Sequence, residues 1–153
     1  MEVGNVIIGT AYSTELVERS KSHQLDLCII SKREEVPGWI PICKDPMMVW
    51  VSRDHPLANK TGIPLEAFAN EKYIDTYPNT QFYTKDSYAT WQMVDAGLGI
   101  SMNNNLNSRE WHGNVKVLPL VPEQIIEIGI AYDREISLAG KTFLEFLKSN
   151  MRN

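Results

Sequence analysis

The chain has 153 residues, enough for one domain of ordinary size or for two small lobes. Hydrophobic residues make up 43% and charged residues 22%, a globular balance that excludes disorder along the whole chain. Fifteen Lys and Arg against 19 Asp and Glu leave a net charge of −4, which argues against a free-standing nucleic-acid binder and against a polybasic membrane anchor.

The longest apolar runs, such as Leu27-Cys28-Ile29-Ile30, are far shorter than the roughly 20 residues of a spanning helix, so no membrane span is expected. Met1-Glu2-Val3-Gly4-Asn5 shows neither a basic start nor a long apolar stretch, so no secretory signal is read there. Cys28 and Cys43 lie apart and away from any His spacing. They suggest neither a disulfide framework nor a zinc site, and a cytoplasmic location is the default. Cys28, inside an apolar run, reads as a small core residue.

In chain order, residues 3–10 (VGNVIIGT) form an unbroken apolar, β-branched run, expected as a strand buried on both faces. Residues 14–22 predict a short helix capped by Ser13 or Thr14. Leu25-Asp26-Leu27-Cys28-Ile29-Ile30 predicts a second buried strand, and the strand–helix–strand order suggests a parallel sheet. Residues 32–46, with charges and Pro37, Pro41 and Pro46, read as a loop or crossover. Met47-Met48-Val49-Trp50-Val51-Ser52 predicts a third buried strand, followed by a turn-rich stretch. Pro64 suits a first helical position, so residues 64–69 predict one or two helical turns. Tyr73-Ile74-Asp75-Thr76 predicts a short strand.

Residues 86–97 carry the clearest local pattern. Asp86 or Ser87 can cap a helix, Tyr88, Trp91 and Val94 recur at intervals of three, and Gly97 supplies a left-handed stop. Residues 98–102, 115–118 and 125–132 predict further strands, and residues 103–109 a single helical turn. Ser137 is expected to cap a last helix whose apolar stripe is Leu138, Phe143, Phe146 and Leu147. Alternating strands and helices give an α/β class. The Pro-rich passages at 37–46 and 119–122 suggest that the chain leaves one lobe and returns to it. The expected division is residues 1–44 with 122–153 in one lobe and residues 45–121 in the other. Clefts between such lobes are preferred small-molecule sites.

Catalytic and metal constellations are absent from the sequence patterns. His23, His55 and His112 are scattered, and no H-E-x-x-H, G-x-S-x-G, P-loop or G-x-G-x-x-G occurs. Ala96-Gly97-Leu98-Gly99-Ile100 runs from helix to strand, so its glycines form a tight turn and do not cradle phosphate at a helix start. Neither an enzyme nor a cofactor is expected. What recurs is a hydroxyl-rich loop after a strand: Thr10-Ala11-Tyr12-Ser13-Thr14, then Ser31-Lys32-Arg33, then Thr76-Tyr77. Ligands of open α/β sheets sit at such strand ends, and hydroxyls, backbone N–H groups and helix dipoles there suit a small anion. Trp50 and Trp91 read as core, whereas Trp39 and Trp111 stay open as cleft aromatics.

Several segments, in order, resemble the effector-binding domain of LysR-type transcriptional regulators. Gly4-Asn5-Val6-Ile7-Ile8-Gly9-Thr10-Ala11 is similar to its opening strand, and Leu25-Asp26-Leu27-Cys28-Ile29-Ile30 to its LDLAII strand. Val49-Trp50-Val51-Ser52-Arg53-Asp54-His55-Pro56-Leu57-Ala58 resembles its strand followed by HPLA. Met93-Val94-Asp95-Ala96-Gly97-Leu98-Gly99-Ile100 resembles its MVxAGLGI signature.

The resemblance implies an abbreviated, two-lobed type 2 periplasmic-binding-protein-like fold. A small effector, carboxylate-bearing by the loop chemistry, would bind between the lobes and control DNA binding by an attached winged helix-turn-helix. The implied effector contacts are Tyr12, Ser13, Thr14, Ser31 and Lys32 in one lobe, and Thr76, Tyr77, Met102 and Asn103 in the other. No winged helix-turn-helix precedes Val3, so DNA contact is expected only through a separate part. The family's helix and strand between its TAYST loop and the helix at Glu15 are missing, as is a stretch around residues 77–83. A homo-oligomer is expected of the family, and the lost helix and strand put its usual interface in question. A transporter's solute-binding protein, and a truncated remnant acting only by oligomerisation, are the alternatives.

Overall fold

A computed structural model describes residues 8, 11–32, 36–75, 82–109 and 111–151. Its elements are α1 (Ser13–Lys21), β1 (Leu27–Ser31), β2 (Gly38–Ser52), β3 (Ile63–Pro64), β4 (Ile74–Asp75), β5 (Phe82–Tyr83), α2 (Ser87–Asp95), β6 (Ser101–Asn104), β7 (Val115–Val121), β8 (Ile125–Tyr132) and α3 (Leu138–Asn150). Short 3-10 turns occupy Pro56–Asn59, Leu65–Asn70 and Asn105–Ser108. The expected first strand, residues 3–10, lies outside the described residues except for exposed Ile8. No described helix is long and apolar enough to cross a membrane.

The chain forms two compact units, Met1–Cys43 with Glu127–Asn153, and Lys44–Ile126. In the first, β1 pairs antiparallel with β8, from Leu27 opposite Tyr132 to Ser31 opposite Ile128. Its core joins Val17 of α1 to Cys28 and Ile30 of β1 and Ala131 of β8, with Leu16, Val36 and Trp39 packed against them. β1 alternates: Cys28 and Ile30 are buried while Ile29 is 65% exposed. The expectation of a strand buried on both faces is therefore corrected, since one face of β1 carries the core and the other meets solvent. The described partner of this strand is antiparallel β8, and the parallel pairing expected with residues 3–10 lies outside the described residues.

In the second unit, β2 is the central strand. It pairs antiparallel with β6 over Met47–Trp50 and with β7 over Met48–Ser52. Val49 and Val51 face one cluster, with Ala58, Ile63, Ile100, Leu118 and Leu120. Trp50 faces the other, with Ile74, Trp91, Val94 and Val115. Both faces are covered, which is why this strand reads as a continuous apolar run. Among the described residues, β3 with β7 and β4 with β5 form short parallel ladders.

The proline-bearing stretch read as a loop belongs largely to β2, which spans 15 residues. Proline lacks a donor, so it is tolerated in a strand only where no N–H is required. The rungs of β2 with β6 and β7 begin at Met47 and Met48, beyond Pro41 and Pro46, and β8 is a further neighbour of β2 in the sheet. One cap also differs from expectation. Tyr12 is the N-cap residue of α1 and gives no side-chain cap bond, so neither Ser13 nor Thr14 is its N-cap. By contrast, the Asp86 carboxylate accepts from the Ala89 N–H at 2.7 Å, and Ser137 Oγ accepts from the Gly140 N–H at 3.0 Å, as the sequence predicts. Gly97 stops α2 in the left-handed region at φ 75°. Pro64 ends β3, and the helical turn expected there is a 3-10 turn starting at Leu65.

Candidate functional site

In the first unit, the candidate residues gather at the start of α1 and the end of β1. Tyr12 is extended, at φ −70° and ψ 153°, and its carbonyl accepts from the Leu16 N–H at 2.8 Å. Ser13 opens the helix half-buried and Thr14 is exposed. No side-chain cap bond closes the first turn of α1, whose N-terminal end carries the positive pole of the helix dipole. Ser31 is the last residue of β1 and lies opposite Ile128, so it belongs to the strand and not to the loop that follows.

Lys32 is held on two sides. Its N–H donates to the Glu127 carbonyl at 2.8 Å, and its Nζ lies 3.3 Å from Glu127 Oε1. The same carboxylate oxygen accepts from Trp39 Nε1 at 2.8 Å. The lysine expected to add charge for an anion is thus paired with a carboxylate, which offsets much of that charge locally. The lysine side chain is 60% exposed, so the pair itself adds at most about 1 kcal/mol to stability. Arg33 lies outside the described residues. Glu127 was not singled out by the sequence, where it is one polar residue in the β8 run.

In the second unit, Met102 and Asn103 lie within β6, opposite Val49 and Met48. Met102 was expected in a strand and Asn103 in the helical turn after it; the strand in fact runs on to Asn104. Met102 packs on the Val49 cluster. Asn103 Oδ1 accepts from Asn107 Nδ2 at 2.9 Å. Asp45, which sequence reasoning passed over inside the supposed loop, is 3% exposed. Its Oδ2 accepts from Asn104 Nδ2 at 2.9 Å and from the Leu106 N–H at 2.8 Å, pinning the 3-10 turn behind Asn103. Ser101 Oγ donates to the Ile74 carbonyl at 2.9 Å, and Tyr73 bridges Ile100 in parallel. β4 and β6 therefore run toward the same end of this unit. Thr76 and Tyr77 lie outside the described residues.

The described candidates offer hydroxyls, an amide, a thioether and one paired cation. This chemistry suits hydrogen bonding to a small polar molecule. No group of three or more His, Cys, Asp or Glu among the described residues is placed to hold a metal ion. Burial pushes the Cys28 thiol up from its ordinary range, and its Sγ lies 3.8 Å from the Ala131 carbonyl, so this cysteine is core material.

Comparison with known proteins gives a consistent picture. The family model described as LysR substrate binding domain matches residues 5–152. An uncharacterized HTH-type transcriptional regulator of Bacillus subtilis strain 168, YybE, is 30% identical over 162 residues, covering 91% of this chain and 56% of that protein. The chain therefore spans little more than half the length of this curated relative. Among solved structures, the reduced form of OxyR is 26% identical with a TM-score of 0.72, over 93% of this chain and 77% of that one. The effector-binding domain of QuiR in complex with shikimate is 27% identical with a TM-score of 0.73, over 92% and 78%. The CcmR regulatory domain of Synechocystis PCC6803 in complex with 2-PG matches in fold at a TM-score of 0.75 and 21% identity, over 93% and 81%.

Proposed function

This chain belongs to the LysR substrate-binding-domain family, and from that premise we propose that it is an effector-sensing domain of a transcriptional regulator. It binds a small molecule and thereby controls how a winged helix-turn-helix in the full regulator holds DNA. The observation that carries the reading is the family match over residues 5–152. Residues 1–44 with 122–153 act as one lobe and residues 45–121 as the other. Tyr12, Ser13, Thr14, Ser31 and Lys32 contact the effector from the first, and Thr76, Tyr77, Met102 and Asn103 from the second. We assign the chain no reaction and no cofactor, and place it in the cytoplasm, where a DNA-binding partner segment would act.

The effector bears a carboxylate. Two features support this: the uncapped first turn of α1 favours a negative group, and shikimate, named for a relative 27% identical, carries one. Glu127 beside Lys32 argues for a singly charged ligand over a multiply charged one.

A thermal-shift screen over amino acids, organic acids and aromatic acids tests the reading. A true effector at a hundredfold excess over its dissociation constant adds about 2.7 kcal/mol of stability. Ser13→Ala and Thr76→Ala should weaken that effect while leaving the unliganded melting temperature nearly unchanged. If no class shifts a well-folded sample, effector sensing by this chain is wrong. If a ligand binds with equal affinity to both variants, the residue assignment is wrong.

A further inference from the structure

We propose that the end of the effector held by the Lys44–Ile126 unit bears hydroxyl groups, read by a relay of two amides, Asn103 and Asn107, so that the ligand is a hydroxylated monocarboxylate. The inference rests on the effector reading of Asn103 and adds Asn107, to which that reading gives no role.

Three observations point to hydroxyls. The first is the fixed orientation of the amides. Asn103 Oδ1 accepts from the Asn104 N–H at 3.2 Å and from Asn107 Nδ2 at 2.9 Å. A backbone N–H only donates, so the atom facing it is the oxygen and the Asn103 amide cannot turn over. Asn107 must then offer its nitrogen to the same oxygen. What remains is a donor end, Asn103 Nδ2, and an acceptor end, Asn107 Oδ1. Neither end takes a partner among the described residues. A hydroxyl both donates and accepts, so it suits both ends, whereas a carboxylate can only accept and an ammonium can only donate. Asn103 is half-buried and Asn107 exposed, which keeps the relay within reach of a ligand.

The second is charge. Residues 101–108 (SMNNNLNS) carry no charged side chain. Behind them lies Asp45, 3% exposed, whose Oδ2 accepts from Asn104 Nδ2 and from the Leu106 N–H. No cation among the described residues pairs with it. A carboxylate buried without a counter-charge repels a second one nearby. This end of the site therefore accepts neutral hydroxyls and opposes a dianion, as the Glu127 carboxylate beside Lys32 does in the other unit.

The third is rigidity. The 3-10 turn Asn105–Ser108 is pinned at Leu106 by Asp45 and at Ser108 by Trp50. Ser108 Oγ accepts from Trp50 Nε1 at 2.7 Å and donates to the Asn104 carbonyl at 3.2 Å, and Trp50 is fully buried. The amides are thus ordered before a ligand arrives, and less entropy is lost on binding. The same bond makes the Trp50 indole N–H a reporter of the turn.

Four six-carbon acids test the assignment: gluconate, with hydroxyls along its chain; hexanoate, with none; glucarate, with a second carboxylate; and 6-aminohexanoate, with a terminal ammonium. Each is titrated into the 15N-labelled 153-residue chain while the Asn103 and Asn107 side-chain amide signals and the Trp50 indole N–H are followed. Gluconate should shift all three saturably, with a dissociation constant of about 1 mM, and the other acids should bind about tenfold more weakly. Asn107→Ala, an exposed substitution whose urea unfolding should match that of the parent chain, should weaken gluconate about tenfold and erase its advantage over hexanoate. Equal or tighter binding by any of the other three acids overturns the proposal, as does unchanged gluconate affinity in the folded Asn107→Ala variant. Either result leaves the effector reading standing, because a ligand still binds. Gluconate shifts confined to residues 12–14 and 31–32 overturn it in the same way. If none of the four acids binds, the proposal falls, and the thermal-shift screen decides the effector reading separately.

Discussion

Asp45 loses nearly all of its water on folding and exchanges it for two donors, the Asn104 amide and the Leu106 N–H. Removing a buried acceptor costs more than the bond itself, because the donors left behind stay desolvated. Asp45→Ala should therefore lower stability by about 1–3 kcal/mol, measured by urea unfolding. Asp45→Asn, which keeps one carbonyl acceptor, should cost less. Equal stability of all three proteins would show that the bonds are made equally well by solvent. Because the same turn sits behind Asn103, the alanine variant should also weaken any effector that Asn103 contacts. Glu127 has a similar double duty in the other unit, accepting from Trp39 while it faces Lys32. Neither carboxylate stands out in a list of motifs, since each acts by holding a neighbour.

Secondary elements owe their faces to what covers them. Strand β2 is apolar on both sides because each side meets its own cluster. Helix α3 shows the opposite case. Its expected stripe was Leu138, Phe143, Phe146 and Leu147, yet Leu138, Phe143 and Phe146 are exposed, and the buried positions are Gly140 and Leu144. Phe143 and Phe146 stack on each other at 6.4 Å in solvent. The reason lies at Gly140: a Cβ there would run into Asp26, so the helix approaches the β1 end of the unit along its small residues. Asp26 also accepts from the Ser137 N–H at 2.7 Å, which fixes the start of the helix. Leu144→Ala should then cost about 2–5 kcal/mol, while Phe143→Ser should stay within about 0.5 kcal/mol. Comparable losses for the two would mean that the aromatic face is covered in solution.

At the scale of the molecule, two compact units are built from one chain that crosses between them in β2 and again in β8. Fifteen basic and 19 acidic residues leave this chain without the surplus that phosphate binding needs. At about 0.15 M salt, the 153-residue chain should not retard a duplex in a gel-shift assay, with or without effector. Salt-sensitive retardation would contradict the division of labour in which sensing resides here and DNA reading in another segment.

Much of this protein is legible in one dimension because the signals are local. The cap at Asp86, the period of three through Tyr88, Trp91 and Val94, and the stop at Gly97 need only neighbouring residues, and α2 forms where they place it. The buried run at Met47–Ser52 and the cap at Ser137 are local in the same sense. The order of the LDLCII, HPLA and AGLGI segments is enough to indicate the family. Strand partners and strand ends are not local. Two prolines made residues 38–46 resemble a loop, and only the tertiary structure shows that they belong to a strand with neighbours on both sides in the sheet. One partner of β1, antiparallel β8, lies a hundred residues away, so that pairing and the single covered face could not be read from the strand itself. The candidate contacts are similar. Sequence marks hydroxyls at strand ends, but whether Lys32 is a free cation or a paired one depends on Glu127, 95 positions further along. Periodicity and caps are properties of contiguous backbone, whereas burial and charge balance belong to whatever the fold brings alongside.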